Sequence, residues 1–257
     1  MSNNISKRKR LFLIDTYAIF YRAHFAMIRN PLINSKGMHT SALFGFTNHV
    51  LKLLRKEKPD YLMAASDSPE KTFRHKKYPE YKATREKMPE EMQDQLPYLW
   101  KLLNAMHIPT IEKPGFEADD IIGTITKQAS NSNLDSYIVS GDKDFMQLIN
   151  ENIFLYAPSG RQSDIKIYDK KGVVEKWGLP PEKIIDLLGL MGDSSDNVPG
   201  VRGVGEKTAV KLINEYGSLE SALDHADDVK NKRAREGLQN CQEDALLSKE
   251  LVTIDTE

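Results

Sequence analysis

The sequence predicts an α/β fold with a mostly parallel sheet flanked by helices, followed by a smaller helical domain. Three observations carry this. Short, unbroken apolar runs recur along the first part of the chain, helical periodicities lie between them, and beyond about residue 174 the runs stop while helical patterns continue. Unbroken apolar runs suit strands buried on both faces, and their alternation with helices is the signature of a parallel sheet.

In chain order, residues 1–10 (MSNNISKRKR) are polar and basic and read as a disordered tail. A first strand over 11–14 ends at Asp15. Leu43, Phe46, Val50, Leu53 and Leu54 then mark one face of a helix. A second strand over 61–65 ends near Asp67, and Leu99, Leu102, Leu103 and Met106 make another helical face. Ala118, Ile121, Ile122 and Ile125 make a third, after the turn Pro114-Gly115-Phe116. Strands over 137–139 and 153–156 follow, the former running into Ser140-Gly141-Asp142. From Val173 onward the expected elements are helices over 182–191, 206–216, 218–223 and roughly 234–252. A boundary at 174/175 therefore separates an α/β domain (11–174) from a helical one (175–257).

Composition excludes several classes. The 257 residues carry 36 Lys+Arg and 37 Asp+Glu, a formal net charge of −1, which argues against a protein that binds nucleic acid by bulk charge. Hydrophobic content of 40% is too high for a disordered chain. The one cysteine, Cys241, rules out an intramolecular disulfide and suits a reducing compartment. No apolar stretch approaches the ~20 residues of a membrane span, and the run after the basic tail is too short for a signal-peptide core.

The chemistry lies in where acids fall. Asp15 and Asp67 follow strands; Glu117, Asp119 and Asp120 open a helix; Asp142 and Asp144 sit in the turn after a third strand; Asp193 and Asp196 lie between two helices. In an open α/β sheet, ligands bind beyond the carboxyl ends of the strands, where these turns converge. Carboxylates gathered there repel one another and need cations or protons. All-oxygen ligation selects hard ions such as Mg²⁺ or Mn²⁺ over zinc. The alternative for any one acid is a helix cap, but capping serves four separate acidic clusters less well. No Gly-x-Ser-x-Gly elbow or Walker loop is present. The pattern points to metal-dependent phosphate-transfer chemistry.

Two further segments point to a phosphate backbone. Lys71, Arg74, Lys76, Lys77, Lys82, Arg85 and Lys87 are interleaved with Phe73, Tyr78 and Tyr81, directly after Asp67. Bases with aromatics suit nucleic acid, although a solvated loop is the ordinary fate of such a run. The string from Val198 to Ile213 carries Gly200, Gly203 and Gly205 in the order GxxGxG with no strand before it, which excludes a dinucleotide fingerprint and describes a helix–hairpin–helix. Amides at the start of its second helix can donate to a phosphate, with Lys207 and Lys211 adding sequence-independent attraction.

Read together, LIDTYAIFYRAH, TSALFGF, FRHKKYPEYKATR, GFEADDIIGT, SGDKDFMQL and LLGLMGDSSDNVPGVRGVGEKTA resemble, in order and from Leu11 to the end, the 5′-nuclease domains of bacterial DNA polymerase I, within the flap endonuclease family. One departure is Ala-Ala-Ser before Asp67, where that family usually has a Phe. The resemblance implies a PIN-like α/β domain with a helical arch over about 68–96 and a helix–hairpin–helix domain. It implies a structure-selective 5′–3′ exonuclease and flap endonuclease using two Mg²⁺, with Mn²⁺ as the alternative ion. Asp15, Asp67, Glu117 and Asp119 would hold one metal and Asp142, Asp144 and Asp196 the other, with Asp120 and Asp193 as outer members of the cluster. Lys82 and Arg85 match the basic pair that meets the scissile phosphate, and Tyr21 the base-stacking tyrosine. The DNA contacts so expected are Tyr21, Arg22, Arg74, Tyr81, Lys82, Arg85, Gly200, Gly203, Gly205, Lys207, Thr208 and Lys211, with a monovalent cation at the hairpin. The implied partner is duplex DNA with a 5′ flap or nick, or an RNA primer–DNA junction. The implied setting is a monomer in the bacterial cytoplasm, beside the nucleoid, with a polymerase domain in cis as one arrangement. A catalytically silent DNA-binding module and a PIN-type ribonuclease are the alternatives.

Overall fold

Alternate residues of the first strand set the architecture. The structure, a computed structural model, describes residues 8–159 and 164–257. In β1 (Lys9–Asp15), Leu11 and Leu13 face one side of the sheet while Phe12 and Ile14 face the other, and all four are buried. The sheet has six strands in the order β3-β2-β1-β4-β5-β6. It comprises β2 (Tyr61–Ala65), β3 (Thr110–Ile111), β4 (Leu134–Val139), β5 (Ile153–Ser159) and β6 (Asp164–Tyr168). All pairings are parallel except β5 with β6. Chain order runs outward from β1 in both directions, so the switch point lies between β1 and β4, at the carboxyl ends that carry Asp15 and Ser140-Gly141-Asp142.

Two cores follow from the two faces. On one, Phe12, Ile14 and Val139 pack with α1 (Thr16–Ala26), α2 (Ser41–Glu57) and α5 (Leu96–Ala105) through Ile19, Phe20, Phe46, Val50, Leu53, Leu99 and Leu103. On the other, Leu13, Ile138 and Leu155 meet Ile121 and Ile122 of α6 (Ala118–Asn131). This second core continues without a break into Val173, Trp177, Leu187, Leu190 and Leu212 of the helical domain. Between α2 and α5 the segment expected as an arch contains α3 (Phe73–Lys77), successive turns over 78–85, and α4 (Glu90–Gln93).

The helical domain comprises α7 (Lys170–Trp177), α8 (Ile184–Met191), α9 (Glu206–Tyr216), α10 (Leu219–Asp224), α11 (Lys232–Asn240) and α12 (Gln242–Val252). Several expectations shift. β1 begins at Lys9, inside the stretch read as tail, because Lys9 and Arg10 pair with Leu134 and Asp135; residues 1–7 lie outside the described residues. The boundary placed at 174/175 falls inside α7. The single helix expected over 234–252 is two, parted at Cys241. β3 and β6 were absent from the sequence reading: one is two residues long, and the other is a largely exposed edge strand. No helix among the described residues is long and apolar enough to cross a membrane.

The hairpin between α8 and α9 is locked by backbone contact. Gly200 has φ +62°, and a Cβ there would lie 2.4 Å from Gly192 N and 2.5 Å from Met191 C. A Cβ on Gly205 would meet nothing within 4 Å. Gly200→Ala is therefore expected to lower stability by on the order of 3 kcal/mol. Gly205→Ala should stay within about 1 kcal/mol of wild type. Urea unfolding of both variants checks the difference, and equal midpoints would contradict the packing.

Candidate active site

Three acidic segments line one depression, and two more adjoin it. Asp15 ends β1 and caps α1: its Oδ1 accepts from Ala18 N at 3.2 Å and its Oδ2 from the Ser140 hydroxyl at 2.8 Å. Ser140 follows β4 and also accepts from Asp142 N at 3.0 Å, so one hydroxyl sets the ends of two parallel strands relative to each other. Sequence reasoning missed it; its signal was its place between a strand and Asp142. Asp67, just beyond β2, accepts from Ala118 N at 2.7 Å and so fixes the start of α6. The expected Phe is replaced there by Ser66, which is buried and pairs with Ile111 through its amide.

Glu117, Asp119, Asp142, Asp144, Asp193 and Asp196 line the depression together with Tyr81, Lys82 and Arg85. Asp15 and Asp67 adjoin it, within electrostatic range of Asp119. Asp144 N donates to Asp142 Oδ1 at 2.8 Å, whereas Asp144 Oδ1 is buried with no hydrogen-bond partner among the described residues. Burial, more than any neighbour, pushes Asp15 up to about 7, with Asp67 and Asp142 adding to the rise and Ser140 and Ala18 opposing it. Burial also raises Asp119 and Asp144 well above the usual carboxylate range, with Asp142 the leading charged neighbour of both. Asp142 itself rises by burial, against the Asp144 amide. Asp193 goes the other way: burial raises it, but the Ser195 hydroxyl and amide and nearby Lys143 bring it below the usual range.

Cations fill the spaces between the acids. Lys82 Nζ lies 2.8 Å from Glu117 Oε1 and 3.8 Å from Asp196 Oδ2, and Arg85 Nε donates to Asp196 Oδ1 at 2.8 Å. Burial works against charge on Lys82 and Arg85, but the facing carboxylates, Glu117 and Asp196 for the lysine and Asp196 for the arginine, raise both above their ordinary values. Lys82 sits in the left-handed region at φ +57°, and its amide donates to Asp196 O at 2.8 Å. Asn197 Nδ2 donates to Glu80 O at 2.7 Å. The 78–85 turns are thus stitched to the 193–197 loop.

Three expected site residues are engaged in buried contacts of their own. Arg74 and Tyr81, expected as DNA contacts, are 2% and 4% exposed. Arg74 is spent on Asp120, Glu117 and two carbonyls, and the Tyr81 hydroxyl lies 3.1 Å from Glu117 Oε2 and 3.3 Å from Asp196 Oδ2. Asp120, expected at the edge of the metal cluster, points into that ion pair instead. Other expected contacts lie on accessible surface: Lys207, Lys211 and Gly205 are exposed and Thr208 half-buried at the start of α9. Gly203 packs against the Arg233 side chain, and Gly200 is buried in the hairpin. Tyr21 is half-buried on α1, stacked on Phe25 at 6.2 Å and within electrostatic reach of Arg85; Arg22 is exposed beside it. Tyr17, one turn earlier, lies within electrostatic reach of Asp67 and was not anticipated.

No three His, Cys, Asp or Glu side chains among the described residues form a ready-made coordination sphere. The donor set nevertheless fits a hard cation: it is all oxygen, it is charge-frustrated, and it includes a buried carboxylate oxygen without a partner.

Residues 10–178 match the family model described as 5′-3′ exonuclease, N-terminal resolvase-like domain, and residues 179–257 match the 5′-3′ exonuclease, C-terminal SAM fold. The chain belongs to the 5′-3′ exonuclease family. Its relatives in this family include DNA polymerase I of Bacillus subtilis (strain 168), 44% identical over 254 residues, covering 98% of this chain and 28% of that protein. DNA polymerase I of Mycobacterium tuberculosis (strain CDC 1551 / Oshkosh) is 41% identical over 222 residues, covering 86% of this chain and 25% of that protein. The chain thus spans between a quarter and a third of the length of the curated relatives it matches. The same fold occurs in a phage T5 5′-exonuclease with divalent metal ions (zinc) bound (TM-score 0.78, 22% identity, 96% of this chain and 90% of that chain). It also occurs in the catalytic core of Rad2 in complex with DNA substrate (TM-score 0.58, 17% identity, 98% and 82%). The family models divide at 178/179, just beyond α7.

The acid cluster makes metal-free stability pH-dependent. Asp15 has an ordinary value of 3.8 in an unfolded chain and holds its proton to about 7 in the fold. The folded state therefore binds the extra proton between those values. This contribution is full below about pH 4 and is lost as pH rises through about 7. Urea midpoints in EDTA should fall over that interval, and Asp15→Asn should flatten part of the fall. An unchanged slope in the variant would contradict the assignment.

Proposed function

We propose that this domain is a structure-selective nuclease that hydrolyses DNA phosphodiesters at 5′ ends and flaps, in primer and flap removal during replication and repair. The observation that carries this reading is the meeting of carboxylates from the end of β4, the start of α6 and the 193–196 loop with Lys82 and Arg85 at one depression, with Asp15 and Asp67 from the ends of β1 and β2 adjoining it. Asp15, Asp67, Glu117 and Asp119 would hold one divalent cation and Asp142, Asp144 and Asp196 another, with Mg²⁺ the expected ion in the cell. When bound, such ions supply Lewis acidity, an activated water and stabilisation of a leaving oxygen. The protein supplies the rest. Ser140 and the Ala18 amide orient Asp15, and the Ala118 amide orients Asp67. Lys82 and Arg85, which face Glu117 and Asp196 at the mouth of the cluster, would offset charge on the phosphate oxygens. The exposed start of α9, with Gly205, Lys207, Thr208 and Lys211, would hold the duplex backbone, and Tyr21 would stack on a base near the mouth.

A 5′-labelled flap duplex incubated with Mg²⁺ or EDTA tests this. Metal-dependent cutting near the junction supports the nuclease; binding without cutting would indicate a silent DNA-binding module, and cutting of single-stranded RNA alone a ribonuclease. Asp142→Asn should lower the cleavage rate on the order of a thousandfold, about 4 kcal/mol of barrier. Lys82→Ala should slow single turnover by about a hundredfold while Mn²⁺ binding survives. Near-normal turnover by either variant would refute the roles assigned.

A further inference from the structure

Asp120 and Arg74 consume each other's bonding capacity. Asp120 Oδ1 accepts from Arg74 Nη2 at 2.7 Å and from Asp255 N at 2.9 Å. Its Oδ2 accepts from Arg74 Nη1 at 2.7 Å and from Glu117 N at 3.0 Å. A carboxylate offers about four acceptor sites, and all are taken. Arg74 has five N–H donors. Beyond the fork on Asp120, Nε reaches Leu251 O and Nη2 reaches Thr253 O, both at 2.8 Å, and Nη1 lies 3.5 Å from Glu117 Oε2. Both side chains are 2% exposed as residues. A bidentate, charge-assisted pair in so little solvent is costly to open, because breaking it strands a buried charge.

The groups tied together are informative. The chain beyond α12 runs back across α6: Ile254 N donates to Gln147 Oε1 at 3.0 Å, and Gln147 Nε2 donates to Val252 O at 2.9 Å. Ile254 passes so close that a Cβ on Gly123 would lie 2.7 Å from its Cγ2. On the other side of the pair stands Glu117, whose amide is held by Asp120 and whose carboxylate faces Arg74, Tyr81 and Lys82.

We propose that Arg74 and Asp120 form a buried clip that straps residues 251–255 onto the start of α6 and thereby positions Glu117 for metal binding. Asp120 is on this view a positioning residue and not a metal ligand. The proposal rests on the metal-binding reading of Glu117, and its test uses readouts other than DNA cleavage.

The experiment is Mn²⁺ titration followed by EPR, with amide hydrogen exchange, on the full chain and on Asp120→Asn, Arg74→Gln, the double variant and Asp144→Asn. The clip predicts at least tenfold faster exchange at Ile254 and Asp255 in both single variants. Mn²⁺ affinity should fall severalfold while the number of bound ions is retained. The double variant should resemble either single one, since each already breaks the same unit. Asp144→Asn should lose Mn²⁺ affinity with the strap amides still protected. Loss of an ion in Asp120→Asn with normal strap exchange, and no parallel effect in Arg74→Gln, would make Asp120 a ligand and overturn the proposal. Loosened strap amides with unchanged Mn²⁺ affinity would reduce the pair to a brace and overturn the positioning role. If the charge variants do not fold, Gln147→Ala loosens the strap with the ion pair intact, and the same paired change is expected; no change in either readout would overturn the proposal. A wild-type chain that binds Mn²⁺ but cuts no DNA would sink the nuclease reading alone.

Discussion

Carboxylates brought to one point in a poorly hydrated depression cannot all be ionised without positive charge among them. Much of this chain is arranged around that constraint. The parallel strands deliver Asp15, Asp67 and Asp142 to the same edge because the switch in strand order lies between β1 and β4. Burial and mutual repulsion then raise Asp15, Asp119 and Asp144. The remaining imbalance is met by Lys82, Arg85 and Lys143, each placed against an acid of the cluster. Protons and side-chain cations are two solutions to one electrostatic problem, and a bound metal would be a third.

The same electrostatic problem bears on the composition. A net charge of −1 conceals acids concentrated at strand ends and bases gathered in the 71–87 segment and the hairpin domain. The bases nearest the acids are not idle surface charge. They neutralise carboxylates in the arrangement described, and the same atoms have the chemistry to neutralise phosphate.

The fold was readable because apolar periodicity survives in single sequences. β1, β2, β4 and β5 contain the predicted runs, and α2, α5 and α6 bury the predicted faces through Val50, Leu103 and Ile122. What failed did so for physical reasons. The residues of α11 and α12 keep a helical pattern through Cys241, so the break between them left no periodic signal. Arg74 and Tyr81 lie in a basic, aromatic stretch, yet composition says nothing about which members turn inward. Asp119 and Asp120 are adjacent, but neighbours on a helix diverge by about 100°. One therefore enters the depression while the other faces the Arg74 clip and the returning chain. Ser140 was invisible because a serine in a turn has many uses, and only its two bonds show which one applies.

The hairpin ties the acid cluster and the exposed start of α9 to a common frame. Asp193 and Asp196 lie at one end of the 192–205 connection, and Gly205 at the start of α9 lies at the other. The bridge from Asp193 to Val198 and the backbone contact of Gly192 with Gly200 leave that connection little freedom. Beneath it, the core runs unbroken from Leu13 and Ile138 in the sheet to Leu190 and Leu212 in the flanking helices. A phosphate held at the start of α9 would therefore sit at a fixed distance from Asp196, without a domain hinge between them. Selectivity for where a backbone is cut, relative to where it is gripped, needs that rigidity, because a shift of about 1 Å in reacting geometry can cost a hundredfold in rate.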